Sequence, residues 1–453
     1  MTVRFDQAYE NLLGLLAGYV EKLPTNTRLV VVRDLRSQIR LIVDTPEQLM
    51  LSKEDEEVAE AALGAYKAPG DFIINLLPQA GFSSIFDAPE AIRLPNLPAN
   101  IRFVDRMVTG REWLYPVPAQ SSQPHRLAFF GLKGGVGRST ALSMTAWHLA
   151  QLEKRVLVID LDLESPGLGN MLLPYRSDLL SDDDTGVPGW PMRGMVDWFV
   201  EDAVGQADEE LLRDMVQPTP INGIGRGEVI VIPAAGGAYR QDYVSKLSRA
   251  YTDFPGQEKT EVFGDRLLRA LSDIENTLKP DITLLDSRAG IHHISATILT
   301  RIADISYIFA SDSRQTWAGL DSLFSHWTLN KDSVRAVREK LRLVSALTPA
   351  TSNREEWRDA FGENAFDSFA RLYDEEPVAD SNQDEADDLF SFGVFEDDAP
   401  HRPILVFDNP VYVQFEPLLN TVQLDADNAA RTFGELFDSV DLDTAQGEAN
   451  ESH

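Results

Sequence analysis

The segment 131–140 holds the residues whose types and spacing point most directly to chemistry. It reads Gly-Leu-Lys-Gly-Gly-Val-Gly-Arg-Ser-Thr and stands between an apolar run, 127–130, and a helical pattern, 141–152. Glycines let a backbone curl so that successive N–H groups point at phosphate oxygens, and the positive end of a helix dipole adds to that attraction. The segment is therefore a candidate phosphate-binding loop.

Two side chains of this loop have expected roles. Ser139 stands where a hydroxyl completes the coordination of Mg²⁺, and Arg138 stands where a lysine usually reaches the β- and γ-phosphates. Arginine is a flat fork of donors and lysine a compact point charge, so the exchange preserves phosphate binding but bears on the rate of hydrolysis. The residues expected to contact a nucleotide are Lys133, Gly134, Gly135, Val136, Gly137, Arg138, Ser139 and Thr140.

Two later apolar runs end in carboxylates. The run 155–164 is a predicted buried strand that ends in Asp160 and Asp162, and the run 282–285 is a predicted strand that delivers Asp286. An apolar strand followed by a carboxylate is the form that supports Mg²⁺ beside a phosphate loop, and we assign that role to Asp286. For Asp160 and Asp162 the alternative is that they only cap the end of the strand.

The loop resembles the deviant Walker A motif of the ParA/MinD family, P-loop ATPases of the SIMIBI class whose pattern is KGGxGK followed by Ser or Thr. Lys133 corresponds to the signature lysine, which in that family reaches across an ATP-bound dimer, and Arg138 makes this a KGGVGR variant. Asp160 and Asp162 resemble the family's DxD segment, which implies that Asp162 orients the attacking water while Asp160 supports Mg²⁺ through water. The resemblance thus implies ATP and Mg²⁺ as ligands, Lys133, Asp162 and Arg138 as catalytic residues, and Ser139, Asp160 and Asp286 as the metal site.

Segments further along the chain extend the resemblance, which covers roughly 126–347 and, more loosely, 404–410. Residues 287–290 look like switch II, the loop that senses the γ-phosphate, and Arg288 within it contacts phosphate or a dimer partner, or else covers a helix end. His292 and His293 follow and are interpreted as surface residues at a helix start. In relatives the loop after the last strand helps to hold adenine, which makes Asp408, Asn409 and Pro410 candidate contacts.

Composition and the positions of prolines divide the chain of 453 residues into predicted domains. Residues 1–115 are predicted to form a small α/β domain with an opening helix and a hairpin of strands 29–32 and 39–43. A proline-rich linker, 116–125, precedes the main domain, 126–440, in which β-rich runs alternate with helical segments, as in parallel βαβ units. This pattern predicts a doubly wound, mostly parallel sheet with the strands 127–130, 156–159, 229–232, 282–285, 305–310, 341–347 and 404–407. Residues 374–398 form an acidic insertion, interpreted as a solvated loop or as a docking segment for a basic partner, and 441–453 a disordered tail.

The charge balance restricts the partners. The formal net charge is −31, from 72 acidic and 41 basic residues, which disfavours nonspecific binding to DNA. The chain has no cysteine, so disulfides and thiol chemistry are excluded. No apolar run is long enough to span a bilayer, and the segment 425–440 is acidic, unlike a basic membrane-binding helix. We therefore expect a cytoplasmic, bacterial-type protein without a membrane partner.

Two functions fit these residues. The first is a slowly ATP-hydrolysing switch that forms an ATP-dependent homodimer and controls an unidentified protein client, either in segregation or positioning or in a bacterial defence or stress module. The second is a scaffold that binds a nucleotide without hydrolysing it, because Arg138 replaces the usual lysine. The water-orienting Asp162 and the carboxylate of Asp286 favour the first.

Overall fold

The computed structural model divides the chain into two units. The first comprises Met1–Pro116 and Leu329–Ser333, and the second comprises Val117–Thr328 and Val334–His453. Most of the predicted linker, 116–123, lies outside the described residues. The described residues are 2–20, 22–24, 27–45, 52–76, 85–86, 88, 91–94, 96–107, 111–114, 124–174, 189–222, 227–237, 242–255, 260–351, 353–374 and 389–450.

The first unit is a five-stranded sheet with two helices. Its elements are α1 (Phe5–Val20), β1 (Arg28–Arg33), β2 (Ile39–Asp44), α2 (Lys53–Leu63), β3 (Ile73–Asn75), β4 (Ile92–Arg93) and β5 (Ile101–Asp105). The strand order is β3-β2-β1-β5-β4, and β1 and β2 form the predicted antiparallel hairpin. Leu12 and Leu16 of α1 and Leu63 of α2 are buried in a core with the sheet, as apolar residues at helical spacing require.

The second unit is built around an eight-stranded sheet, which confirms the predicted doubly wound class. All seven predicted strands form, and β8 adds a short antiparallel strand at one edge. The order is β15-β14-β13-β6-β12-β7-β9-β8, and a separate hairpin joins β10 to β11. The strands are β6 (His125–Gly131), β7 (Arg155–Asp160), β8 (Gln217–Pro218), β9 (Glu228–Ile232), β10 (Phe254–Pro255), β11 (Thr260–Glu261), β12 (Ile282–Asp286), β13 (Ile305–Ala310), β14 (Leu341–Thr348) and β15 (Ile404–Phe407).

Helices cover this sheet, which is why its central strands read as continuous apolar runs and not as alternating ones. Every residue of β12 is buried, and so is every residue of β6 after the first. The helices are α3 (Arg138–Gln151), α4 (Leu168–Leu172), α5 (Met195–Asp202), α6 (Glu209–Asp214), α7 (Tyr243–Ala250), α8 (Phe263–Leu278), α9 (His293–Thr297), α10 (Arg314–Trp327), α11 (Lys331–Val337), α12 (Arg354–Phe369) and α13 (Ala426–Asn450).

The C-terminal prediction was wrong for residues 441–450, because α13 continues through Asn450 instead of giving way to a disordered tail at 441. Asp443 lies inside the protein, where it accepts a 2.7 Å hydrogen bond from the hydroxyl of Tyr307 on β13 and pairs with Arg342 at 2.8 Å. The polar composition of the tail hid this contact, since the partner tyrosine is remote in sequence.

The acidic insertion is held at both ends in the part that the structure describes. Asp374 forms two 2.8 Å hydrogen bonds with Arg338, and its backbone N–H donates to the carbonyl of Phe390 at 2.9 Å. Residues 375–388 lie outside the described residues, so the interpretation of their acidic run as a solvated or docking segment stays a prediction.

A buried ion pair fixes the strand that leads into the glycine-rich loop. Arg126 on β6 donates to both carboxylate oxygens of Glu275 on α8, at 3.0 and 2.6 Å, and Thr283 on β12 donates to the same carboxylate at 2.9 Å. The side chains of Arg126 and Glu275 are 6% and 3% exposed. This contact therefore joins the two strands that carry the glycine-rich loop and Asp286.

We expect Glu275→Gln to lower the free energy of unfolding by about 3–5 kcal/mol, because it leaves a buried guanidinium without its counter-charge. The matched control is Glu228→Gln, since Glu228 pairs with Arg155 at 3.2 Å but both side chains are more than 40% exposed. The control should change stability by at most about 1 kcal/mol. Urea unfolding followed by circular dichroism measures both, and equal effects would contradict a central role for the buried pair.

Candidate functional site

The glycine-rich loop runs from the end of β6 to the start of α3 in the conformation that a phosphate cradle needs. Gly135 and Gly137 have φ angles of 76° and 77°, in the left-handed region where a side chain is strained. Gly137 caps the N-terminus of α3, a helix of 14 residues whose first N–H groups face the loop. The loop can therefore offer successive backbone donors to an anion.

A cavity of about 460 Å³ lies between this loop and the segment that follows β15. All eight predicted loop residues line it, together with Asp408 and Asn409, whereas Pro410 does not and instead begins a 3₁₀ turn, Pro410–Tyr412. Sequence reasoning missed a largely apolar set of lining residues on strands and helices remote in sequence, namely Met171, Leu347, Val406, Phe407, Tyr412, Val413, Thr432 and Phe433. The cavity thus has a polar end at the loop and an aromatic end beyond β15, as a phosphorylated, planar ligand requires.

At the aromatic end, the side chain of Asn409 is used within the protein. Its amide group donates to the Thr432 hydroxyl at 2.9 Å, and its carbonyl oxygen accepts from the backbone N–H of Val411 at 3.1 Å. The hydroxyl of Tyr412 is buried without a hydrogen-bond partner. Tyr412 therefore lines this end of the cavity while its hydroxyl stays buried.

At the polar end, Ser139 and Asp286 lie in contact. The Ser139 hydroxyl donates to Oδ2 of Asp286 at 2.6 Å, and Nε of Arg138 donates to Oδ1 at 2.8 Å. A hydroxyl and a carboxylate are hard oxygen ligands of the kind that Mg²⁺ prefers, so Ser139 and Asp286 fit the predicted metal position. Arg138 turns its side chain toward the carboxylates instead of the open cavity.

Asp162 joins the same network. Its Oδ2 lies 3.3 Å from Nη2 of Arg138, and its Oδ1 accepts from the backbone N–H of Ser165 at 3.3 Å. Burial raises the pKa of Asp162, and the neighbouring guanidinium of Arg138 only partly opposes that rise. A partly buried carboxylate with a raised pKa is a better proton acceptor than a solvated one.

Asp160 is held by backbone N–H groups of the loop that follows β7. Its carboxylate accepts three backbone N–H bonds, from Asp162 at 3.1 Å, Gly167 at 3.2 Å and Leu168 at 3.1 Å, and so holds the loop between β7 and α4. Burial and the nearby charge of Asp286 raise its pKa well above the usual value. Among the described residues, no three acidic or histidine side chains are grouped so that they could hold a metal. These bonds make Asp160 the strand-end cap that was the alternative, and its support of Mg²⁺ through water stays a prediction.

Lys133 points toward the β13–α10 connection. Its Nζ lies 3.3 Å from the hydroxyl of Ser313, the residue that caps α10. The side chain also lines the cavity, so it stands at the rim between the loop and the neighbouring strand.

The segment after β12 is tied to the segment after β7 by a charged cluster that sequence reasoning missed. Glu164 pairs with Arg288, accepts a 2.7 Å hydrogen bond from the Tyr251 hydroxyl and lies 3.2 Å from Nε2 of His292. Burial opposes ionisation of Glu164, but these hydrogen bonds outweigh it and lower the pKa of Glu164 to about 2. Arg288 therefore pairs with an acid two residues after Asp162, and His292, which caps α9 and is 24% exposed, belongs to the same cluster.

The parallel sheet, the glycine-rich loop after its β6 strand and the carboxylates after β12 and β7 have the form of a P-loop nucleotide-binding domain. In agreement, residues 125–172 match the family model of the cellulose biosynthesis protein BcsQ. That match spans β6, the loop, α3, β7 and α4.

Solved structures with a related fold include a ParA family ATPase from Chlorobium tepidum TLS, at 16% identity and a TM-score of 0.41, covering 70% of this chain and 98% of that one. MinD from Pyrococcus horikoshii OT3, complexed with Mg-ADP, is 15% identical with a TM-score of 0.38, covering 70% and 96%. The ParA of pNOB8, bound to nonspecific DNA, is 16% identical with a TM-score of 0.38, covering 72% and 99%. No curated protein sequence matches this chain.

His293, next to His292 of the charged cluster, predicts that the free energy of unfolding depends on pH. Burial lowers the pKa of His293 to about 4, and neither ring nitrogen has a hydrogen-bond partner. An unfolded histidine titrates near 6.5, so the unfolded state binds more protons between these values and stability falls as the pH falls from about 6.5 toward 4. We expect the decline in the free energy of unfolding between pH 7.5 and 5.5 to be shallower in His293→Leu than in the wild type. Parallel pH profiles would contradict this origin.

Proposed function

We propose that this protein is an ATP-dependent molecular switch that hydrolyses ATP slowly. The observation that carries the proposal is a single network in which the phosphate loop, Ser139, Asp286 and Asp162 meet at one end of a nucleotide-sized cavity. Backbone donors of the loop would bind the phosphates, and the aromatic end near Tyr412 would accept the base. Each of these groups has a part in phosphoryl transfer, which depends on positioning and on electrostatic stabilisation.

The residues of the polar end would divide the chemistry among them. Ser139 and Asp286 would hold Mg²⁺, which supplies charge neutralisation for the phosphates when it is bound. Asp162 would orient water and accept its proton, a task favoured by its raised pKa and by its position beside the loop. Hydrolysis requires a group that orients water and a protein that only binds the nucleotide does not, so this carboxylate favours a switch over a scaffold.

We further propose that the switch acts as an ATP-dependent homodimer that controls a protein client. Lys133 at the cavity rim is suited to reach a second copy, and Arg288, held by Glu164, is suited to report a change at the phosphates. The net charge of −31 favours a protein partner over DNA. In the described part of the chain, none of the helices has the length and apolar character needed to cross a membrane. The first unit and the acidic insertion would select the client, whether that client acts in segregation, in positioning or in a defence module.

Ser139→Ala should weaken the binding of ATP with Mg²⁺ by about tenfold or more, because hydrogen bonds and ligands to charged groups contribute about 1.5–3 kcal/mol each. Ser143→Ala is the matched control, since Ser143 lies one turn further along α3 and donates only to the carbonyl of Ser139, at 2.8 Å. Isothermal titration calorimetry with full-length protein measures both. Equal affinities in the wild type and both variants would refute the metal position, and no binding at all would refute the nucleotide site.

Lys133→Ala and Asp162→Asn should separate dimerisation from chemistry. Loss of Lys133 should reduce both ATP-dependent dimerisation and phosphate release, because both depend on the same contact across the dimer. Asp162→Asn keeps the shape of the side chain and leaves the cradle intact, so the dimer should persist while turnover falls by about 10²- to 10⁴-fold. Light scattering with and without ATP, alongside a phosphate-release assay, measures the two effects.

Two outcomes would overturn parts of this proposal. A wild-type protein whose size does not change with ATP would exclude the dimer mechanism. A wild-type protein that dimerises with ATP but never releases phosphate, even with its client, would make it the nucleotide-binding scaffold, with Arg138 as the reason.

A further inference from the structure

Arg138 has an environment that its place in the phosphate loop does not require. Its side chain is 8% exposed and lies between two carboxylates, with Nε donating to Asp286 at 2.8 Å and Nη2 to Asp162 at 3.3 Å. The third nitrogen, Nη1, is buried and has no hydrogen-bond partner. The guanidinium thus bridges two acids, and its Nη1 donates to no acceptor.

The two bridged acids are those that the proposed function needs for the metal and for water. Asp286 has its second oxygen bonded to Ser139, so both oxygens of that carboxylate already have partners. Asp160, Asp162 and Asp286 are all buried, and besides burial the charge of Asp286 raises the pKa of both Asp160 and Asp162, which means that these carboxylates repel. Arg138 is the cation that contacts two of them, and Arg288 adds a weaker attraction at Asp162.

We propose that Arg138 is an internal cation that competes with the divalent metal for Asp286 and at the same time holds Asp162, the acid that orients water. This inference rests on the proposed function and gives the arginine of the KGGVGR motif a task that lysine cannot perform. A guanidinium offers donors in a fixed fork and can bridge two carboxylates, whereas an ammonium is a single point charge. A metal ion held by Ser139 and Asp286 would sit beside the guanidinium, and the repulsion between the two cations makes the two arrangements mutually exclusive.

The nucleotide decides between these arrangements. Nη1 is the donor through which phosphate oxygens can attract the guanidinium, since arginine pairs strongly with phosphate. When Arg138 turns to the phosphates, it releases Asp286 to the metal and Asp162 to the attacking water. Metal and nucleotide therefore bind with positive coupling, and the metal alone binds weakly. Asp162 stays paired with Arg138, and so cannot orient water, until the metal and the nucleotide are both bound.

The test uses Mn²⁺ as the probe, with full-length protein and no nucleotide. Electron paramagnetic resonance measures the unbound Mn²⁺ in a titration. The wild type should bind Mn²⁺ weakly, whereas Arg138→Ala should bind it about tenfold more tightly or better, because the competing cation is gone. Arg138→Lys should lie between them, since lysine reaches only one carboxylate, and it provides the same test should the alanine variant fail to fold.

Two controls make the result specific. Arg342→Ala removes an arginine from another largely buried acid, Asp443, outside the cavity, and should bind Mn²⁺ as the wild type does. Adding Asp286→Asn to Arg138→Ala, or to Arg138→Lys, should abolish the gained affinity.

The inference is overturned if the wild type binds Mn²⁺ tightly without a nucleotide, or if neither Arg138 variant gains affinity. These failures are distinct from failure of the proposed function. If calorimetry detects ATP binding by the wild type while Mn²⁺ binding is unchanged in the variants, only the competition is refuted. If the wild type binds no ATP at all, the nucleotide site itself is refuted.

Discussion

Parallel pairing of β12 between β6 and β7 is the constraint on which the site depends. In this register Asp286 stands beside Phe129 of β6 on one side and beside Asp160 of β7 on the other. The carboxyl ends of three strands therefore meet at one edge of the sheet, each followed by a loop that carries chemistry. Backbone hydrogen bonds close this edge: Leu161 donates to Asp286 at 3.0 Å, and Gly290 donates to Gly131 at 2.9 Å. The phosphate loop, the DxD segment and the segment after β12 consequently share one framework.

Such an edge concentrates negative charge in a buried place, and the protein balances it by different means at each acid. Backbone N–H groups solvate Asp160, the guanidinium of Arg138 bridges Asp162 and Asp286, and Glu164 pairs with Arg288. Buried carboxylates are tolerated only when they are hydrogen-bonded or paired. The charge of this edge is therefore held by groups that a phosphorylated ligand can rearrange, which is a physical basis for a two-state element.

The cavity has contrasting ends because its walls come from distant parts of the chain. The loop after β6 supplies backbone donors, while residues on β14, on β15 and just after β15, together with Phe433 of α13, supply apolar surface. Helix α13 lies against α3, and Phe437 stacks on His148 with ring centroids 4.3 Å apart. The C-terminal helix thus helps to position both the aromatic wall and the helix that begins at the phosphate loop.

The sequence by itself determined the class of the fold, the seven main strands and the phosphate loop, because each follows from a pattern of residues that are close together in the chain. Apolar runs of strand length, glycines at 131–137 and carboxylates at strand ends are local signals that follow from backbone sterics and hydrogen bonding.

Tertiary structure alone decided which acid has which partner. Asp160 and Asp162 are equivalent in sequence, but Asp160 faces the N–H groups of Gly167 and Leu168 while Asp162 faces Arg138. Glu164 and Tyr251 carried no sequence signal, since Glu164 meets Tyr251 87 positions away and Arg288 124 positions away. The same reason made residues 441–450 look disordered, because the tyrosine that binds Asp443 lies on a strand 136 residues earlier.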